Sequence, residues 1–204
     1  ADKTGTLTQN ALRVVDVCPL PGIDRERLLA LAVLASSEAD QDPIDAAIRA
    51  AASESADRGA TERLVRLVPF DPATKISEAF VRDATGDEIR VIKGAFQVVA
   101  AAAQTPEDSR RLVDELAKQG NRVIAVATGR PGLLRLVGLI AFSDPPREDA
   151  ASFIDELRNV GVRTVMVTGD SPVTAAAIAR KVGIDGDVQP TEWPSDESDM
   201  EKFG

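Results

Sequence analysis

The sequence contains no histidine and no tyrosine, one tryptophan and one cysteine, Cys18. Without histidine, the usual general base near neutral pH and the commonest metal ligand are both missing. Catalysis would have to run on carboxylates, hydroxyls, amines and backbone dipoles. A single cysteine excludes an internal disulfide and fits a reducing compartment. Basic residues are in deficit: 24 Lys+Arg against 33 Asp+Glu leave a net charge of −9. With no basic stripe to offset it, a surface of that sign repels nucleic acid and anionic lipid. No apolar run approaches the length of a bilayer span and no signal-peptide pattern is visible, so a soluble chain without a membrane span is expected. What is present is enough apolar residue, 44% of 204 positions, for a real core in one large or two small domains.

Periodicity divides the chain into three styles. Residues 24–37, "DRERLLALAVLASS", and "DPIDAAIRAAASESA" read as helices, the second with Asp42 at the cap and Pro43 in the first turn. "ERLVRLVPF", "KISEAFVRDA" and "DEIRVIKGA" are short and rich in β-branched residues, with a hairpin signal at "TGDE". "PEDSRRLVDELAKQG" predicts a helix with Leu112, Val113 and Leu116 on one face and Gly120 at its end, and "NRVIAVATG" and "LLRLVGLIAF" return to strand. After "SDPPRED" a helical stripe of Ala150, Phe153, Ile154, Leu157 and Val160 leads to "VRTVMVTG", which reads as a parallel strand buried on both faces. A helix from Pro172 to about Val182 follows, and the acidic, turn-rich end reads as loop. The middle is therefore expected to be antiparallel sheet with flanking helices, inserted into an α/β unit. The boundaries put residues 1–12 and 144–204 in the outer unit and 13–143 in the inserted one.

At the front stands "DKTGTLT". Glycine between threonines lets successive amides turn inward and form a nest for phosphate oxygens. An aspartate at its mouth is already ionised at neutral pH and can attack a phosphoryl group, with Mg²⁺ offsetting the repulsion between the two anions. Asp2 capping a turn is the plainer alternative.

The heptapeptide as a whole resembles the phosphorylation signature of the P-type ion-pumping ATPases. Three further stretches resemble that family's motifs in its order: "KGA" at Lys93–Ala95, "DPPR" at Asp144–Arg147 and "TGD" at Thr168–Asp170. The fold implied is an α+β nucleotide-binding domain with an antiparallel sheet, inserted into a HAD-like Rossmannoid phosphorylation domain that is incomplete here. The activity implied is ATP hydrolysis through an aspartyl phosphate, coupled to cation transport. By this resemblance Asp2 accepts the γ-phosphoryl of ATP, and Mg²⁺ is held by the Asp2 carboxylate and the Thr4 carbonyl. Thr4 and Thr168 hydrogen-bond phosphoryl oxygens, Gly169 offers its amide, and Lys3 and Asp170 complete the catalytic set. In related phosphatases of the same fold, the residue two places after the nucleophile is an acid. Threonine at that place slows release of the phosphoryl group, which suits a pump better than a phosphatase.

For the nucleotide, the resemblance points to Phe70 of "VPFDPATK" as the ring stacking on adenine, or a core ring. Lys75 lines the pocket, or is an exposed strand lysine. Lys93 faces the nucleotide, with Gly94 allowing close backbone approach. Arg122 meets the phosphate chain, or is a surface residue. Asp45 faces the adenine amino group, or is a solvated helix carboxylate. Asp144 and Arg147 anchor a hinge stiffened by paired prolines, or cap the next helix. The combination "DPIDAAI…PFDPATK…DPPREDA" looks most like plasma-membrane proton pumps, while the lack of histidine sets heavy-metal pumps aside. The implied partners are ATP and the membrane and actuator domains of a parent pump, with this region on the cytoplasmic face of the cell membrane. The other readings are a phosphatase or phosphotransferase of the same superfamily, and a nucleotide-binding module without chemistry of its own.

Overall fold

The computed structural model describes residues 3–9, 11–37, 42–54, 62–168 and 172–186. Strands β1 (Arg13–Pro19), β2 (Arg63–Asp71), β3 (Ile76–Arg82), β4 (Glu88–Ala95), β5 (Arg122–Arg130) and β6 (Leu133–Ser143) form one sheet in the order β1-β6-β5-β4-β3-β2. Every pairing is antiparallel. Helices α1 (Arg25–Leu34) and α2 (Pro43–Ser53) cover one face, and α3 (Phe96–Ala102) and α4 (Ser109–Lys118) the other.

The two-layer covering follows from strand alternation. On β4, Ile89 and Val91 face the α1/α2 layer while Ile92 faces α3; on β5, Ile124 and Val126 face one way and Ala125 and Ala127 the other. On β6 the parity changes. Its register with β5 steps from Gly138 opposite Val126 to Leu136 opposite Ala127, leaving Val137 as an extra residue. This bulge lets Leu134, Leu136 and Leu139 all reach the α3/α4 layer while Ile140 and Phe142 join the other core.

The expected helices over 24–37, 42–56 and 106–120 appear as α1, α2 and α4, and Asp42 caps α2 by accepting from the Ile44 and Asp45 amides. The hairpin between β3 and β4 turns on Asp83, whose Oδ1 accepts from the Thr85 and Asp87 amides. Two elements were not foreseen. β1 lies where the sequence suggested only a boundary. α3 starts directly after β4 with Ala95 at its cap and no side-chain capping bond, so the usual start signal is missing.

Outside the sheet, Leu7, Ala150, Ile154 and Val182 form a separate small core, with Leu157, Met166 and Ile184 packed against it. Helix α5 (Ala150–Asn159) reaches this core through a narrower stripe than the sequence suggested. Phe153 and Val160 are 56% and 75% exposed. At 100° per residue they trail Ala150 by roughly 60° and 80°, while Leu157 and Ile154 sit within roughly 40° of it. The expected parallel strand at residues 162–168 joins no sheet among the described residues, and Val162, Val165 and Val167 are exposed. Helix α6 (Pro172–Lys181) is as expected, while the acidic end from residue 187 lies outside the described residues. Among the described residues no helix is long and apolar enough to cross a membrane. Burial, with Asp16 beside it, pushes the Cys18 thiol up to about 11, so it is protonated at neutral pH.

The free edge of the sheet, β2, is tied to α1 by an ion pair. The Arg27 guanidinium donates to both carboxylate oxygens of Glu62, whose side chain is 3% exposed. These hydrogen bonds hold the Glu62 carboxyl below its ordinary value of 4.5. A depressed carboxyl stabilises the fold above the unfolded-state value and loses that contribution as pH falls through the folded-state one. Glu62→Gln should therefore unfold at lower urea than the parent chain at pH 7, by about 1.5 kcal/mol. The two curves should converge as pH drops below the range where Glu62 ionises, and a pH-independent gap would assign the effect to packing.

Candidate nucleotide and phosphoryl-transfer site

The site residues are set by where the strands end. β2 ends at Asp71, β4 at Ala95 and β6 at Ser143, while β3 begins at Ile76, β5 at Arg122 and β1 at Arg13. The registers put these six termini at one end of the sheet. Phe70, Lys75, Lys93, Gly94, Arg122 and Asp144 all belong to that end.

The deepest polar group there is an ion pair. Lys93 continues the inward face of Ile89 and Val91 on β4, and its Nζ donates to Oδ1 of Asp45 at 2.5 Å. Each residue is 3% exposed, so Asp45 is not a solvated helix carboxylate. Its Oδ2 accepts the Ser37 amide at 2.8 Å, and Arg49, one turn further along α2, donates to the Ser37 carbonyl. Ser77, directly opposite Lys93 on β3, donates from Oγ to the Ala35 carbonyl at 2.9 Å. The end of α1 is thus held by the sheet and by α2. A buried charge pair survives only when its remaining hydrogen-bonding capacity is met, and here the Ser37 amide meets the second carboxylate oxygen. Ser77 and Arg49 were missed at the sequence level. Their signals were a polar residue at an inward position of "SEAFV" and a basic residue four positions after Asp45.

The residues around this pair are open to solvent. Phe70 is 41% exposed at the end of the edge strand, so it is not a core ring. Lys75 is exposed and stands in the turn from Asp71 rather than in a strand, with φ at 59° and its amide donating to the Asp71 carbonyl at 2.7 Å. Gly94 does allow close backbone approach, but to this chain's own backbone. A Cβ there would stand 2.2 Å from the Lys75 carbonyl oxygen. Arg122 is exposed and shares the inward face of Ile124 and Val126. It lies about 13 Å along β5 from Val126, the residue opposite Lys93.

The crossing to the flanking segments is at the same end. Asp144, just after β6, is buried and accepts twice from the segment before β1: Thr8 Oγ1 donates to its Oδ2 at 2.5 Å and the Ala11 amide to its Oδ1 at 3.0 Å. Gln9 N–H donates to the Pro145 carbonyl and Arg147 N–H to the Leu7 carbonyl, at 3.0 and 2.9 Å. The Asp144 side chain therefore ties the two crossings rather than capping α5. The Arg147 side chain is exposed and pairs with Asp149.

Asp2, Gly169 and Asp170 lie outside the described residues, and of Lys3 and Thr4 only the backbone belongs to them. That backbone makes a wide helical turn over Lys3–Leu7 with Gly5 at φ 79°. Thr168 ends the extended segment that follows α5, half-buried. Among the described residues no group of His, Cys, Asp or Glu is arranged to hold a metal.

Residues 1–198 match the haloacid dehalogenase-like hydrolase family. The chain is 39% identical over 193 residues to a Methanocaldococcus jannaschii protein named as a cation-transporting ATPase, covering 90% of this chain and 23% of that protein. It is 34% identical over 198 residues to a plasma membrane ATPase of Kluyveromyces lactis, covering 90% of this chain and 22% of that one. Among solved structures it is similar to a zinc-transporting PIB-type ATPase in its E2.Pi state, with a TM-score of 0.62, 33% identity, and coverage of 90% of this chain and 27% of that one. The chain therefore spans about a quarter of the length of these proteins. Likeness to a zinc pump means that the lack of histidine does not mark a different scaffold.

Removing one partner of the buried pair should be costly. Asp45→Ala leaves the Lys93 ammonium uncompensated and should lower unfolding free energy by about 3–5 kcal/mol. The double change Asp45→Leu with Lys93→Met should recover most of that loss in urea denaturation. A single variant as stable as the parent would mean that water already reaches the pair.

Proposed function

Because the chain belongs to the haloacid dehalogenase-like hydrolase family, we propose that it is the ATP-binding and phosphorylation region of a P-type cation pump. The observation that carries this reading is the convergence at one sheet end. An exposed aromatic ring, three cationic side chains at graded depth and the double crossing next to "DKTGT" all lie along that end.

In the proposed reaction, adenine stacks on Phe70, which is 41% exposed. Lys75 and Lys93 border the base and Arg122 meets the phosphates. An Asp2 carboxylate oxygen attacks the γ-phosphorus in line; the bond to the bridging oxygen breaks and ADP leaves with the electron pair. Thr4, Thr168 and the Gly169 amide hold the transferring oxygens, where charge stabilisation is the main catalytic task. The donors available at the front, the Asp2 carboxylate and the Thr4 carbonyl, are the hard oxygens that Mg²⁺ takes, and the ion when bound would lessen the repulsion between carboxylate and phosphate. With threonine rather than an acid at position 4, the aspartyl phosphate persists long enough to drive a second step, which favours a pump over a phosphatase. The membrane and actuator domains of the parent pump would be the partners, the region would face the cytoplasm, and the similarity to plasma membrane ATPases makes protons the proposed cargo. The domain division at residues 12/13 and 143/144 is part of the proposal. It is supported by the separate cores and by the Asp144 ties between them.

Two measurements test this. The full-length protein given Mg-ATP should form an acid-stable, hydroxylamine-labile phosphoprotein, and labelling that persists in Asp2→Asn would refute the assignment. Titration of this chain with a non-hydrolysable ATP analogue should shift the amides of Phe70 and Lys93. Phe70→Ala should weaken that binding by about 1–3 kcal/mol, the usual worth of a base–aromatic stack; shifts confined to other regions would count against the pocket.

A further inference from the structure

Helix α6 does not stay with the small outer core. It runs against the turn that joins α4 to β5. The hydroxyl of Thr174, 3% exposed, donates to the Asn121 carbonyl at 3.1 Å, and Lys181 Nζ donates to the Gln119 carbonyl at 3.0 Å. Between them Gly120 lies close to the helix. A Cβ built there would stand 3.5 Å from Ala177 Cβ and 3.7 Å from Ile178 Cγ1. These carbonyls follow the last turn of α4, where helix geometry leaves acceptors without partners and a cation is favoured.

The next residue after this turn is Arg122. The carbonyl that Thr174 grips belongs to the same planar peptide unit as the Arg122 amide, so fixing one fixes the other. A long side chain loses much of its reach in direction when the backbone it springs from is free to rotate. We infer that Thr174, supported by Lys181, is a positioning residue for Arg122. α6 sets the peptide plane from which the phosphate-facing arginine extends, so the phosphate chain is gripped fully only while α6 is docked on the turn between α4 and β5. The inference rests on the reading of Arg122 given above. It makes α6, which follows the "TGD" segment, a sensor of nucleotide phosphate at a distance from any contact with it. By linkage, phosphate held by Arg122 strengthens the docking of α6 to the same degree.

The test uses the whole chain. In Thr174→Val, which keeps volume and loses the donor, hydrogen exchange at the amides of 120–122 should speed up without ligand. ATP affinity should fall about fivefold to tenfold while AMP affinity stays within about twofold. Thr174→Ser should restore both. In an Arg122→Ala background the Thr174→Val change should have no further effect on ATP. Lys181→Met, at an exposed site, should act in the same direction more weakly, and it carries the test if Thr174→Val does not fold. Equal losses for ATP and AMP, or an effect that survives in Arg122→Ala, would overturn the positioning role. Unchanged exchange across 120–122 would overturn the docking whatever the nucleotide does. A parent chain that binds no ATP would instead overturn the nucleotide reading itself.

Discussion

The two oxygens of Asp144, on the segment that leaves β6, accept from Thr8 and Ala11, both on the segment that enters β1, and this grip ties the two segments together where they reach the sheet. Buried at the point where β6 leaves the sheet, the carboxylate has its acceptor capacity met by groups on the other crossing strand. The prolines next to it donate no backbone hydrogen bond and hold φ nearly constant, so the backbone there has little freedom to fray. Because β1 begins and β6 ends at the same end of the sheet, the chain enters and leaves the sheet side by side.

The same end of the sheet collects the polar groups, for a reason that is topological. In this antiparallel sheet with helices on both faces, the middles of β4, β5 and β6 are committed to core on both sides, and polar side chains are tolerated inward only near the termini. Lys93 and Ser77 sit at such positions, and the Asp45 carboxylate from α2 neutralises the lysine there. A pair of this kind contributes little net stability relative to apolar residues, yet it is costly to break. Its value is in fixing geometry. It ties α2 to β4 and, through Ser37, to the end of α1, so the floor of the candidate pocket is set before any ligand arrives.

Much of the local structure could be read from residues alone. Asp42 followed by proline, the 3.6-residue spacing in α1, α2 and α4, and the Asp83 hairpin each rest on interactions among near neighbours. The elements that escaped notice depend on distant partners. α3 has no capping residue and follows a strand without a break, and β1 exists because β6 offers it an edge. The strand expected at 162–168 shows the converse, an apolar pattern that joins no sheet among the described residues. For the candidate site, motif residues could be named because the stretches that carry them resemble a known family's signatures. The support beneath them, Ser77, Arg49 and Thr174, was not, since each acts on a carbonyl far away in sequence or across a turn.

By itself, then, the sequence determined which chemistry is open to this protein. With no histidine it has carboxylates, hydroxyls, lysines and arginines to work with, and "DKTGT", "KGA" and "TGD" resemble signatures of a family that transfers phosphate. Local spacing also determined where most helices and hairpins form, because the forces that make them act over a few residues. Only the tertiary structure decided that Asp45 and Lys93 meet out of water, that Gly94 makes room for Lys75, and that α6 rests beside Arg122. Those facts depend on strand register, on the bulge in β6 and on the common end of the six strands. Such long-range choices are made by the burial of the whole core and by no single segment.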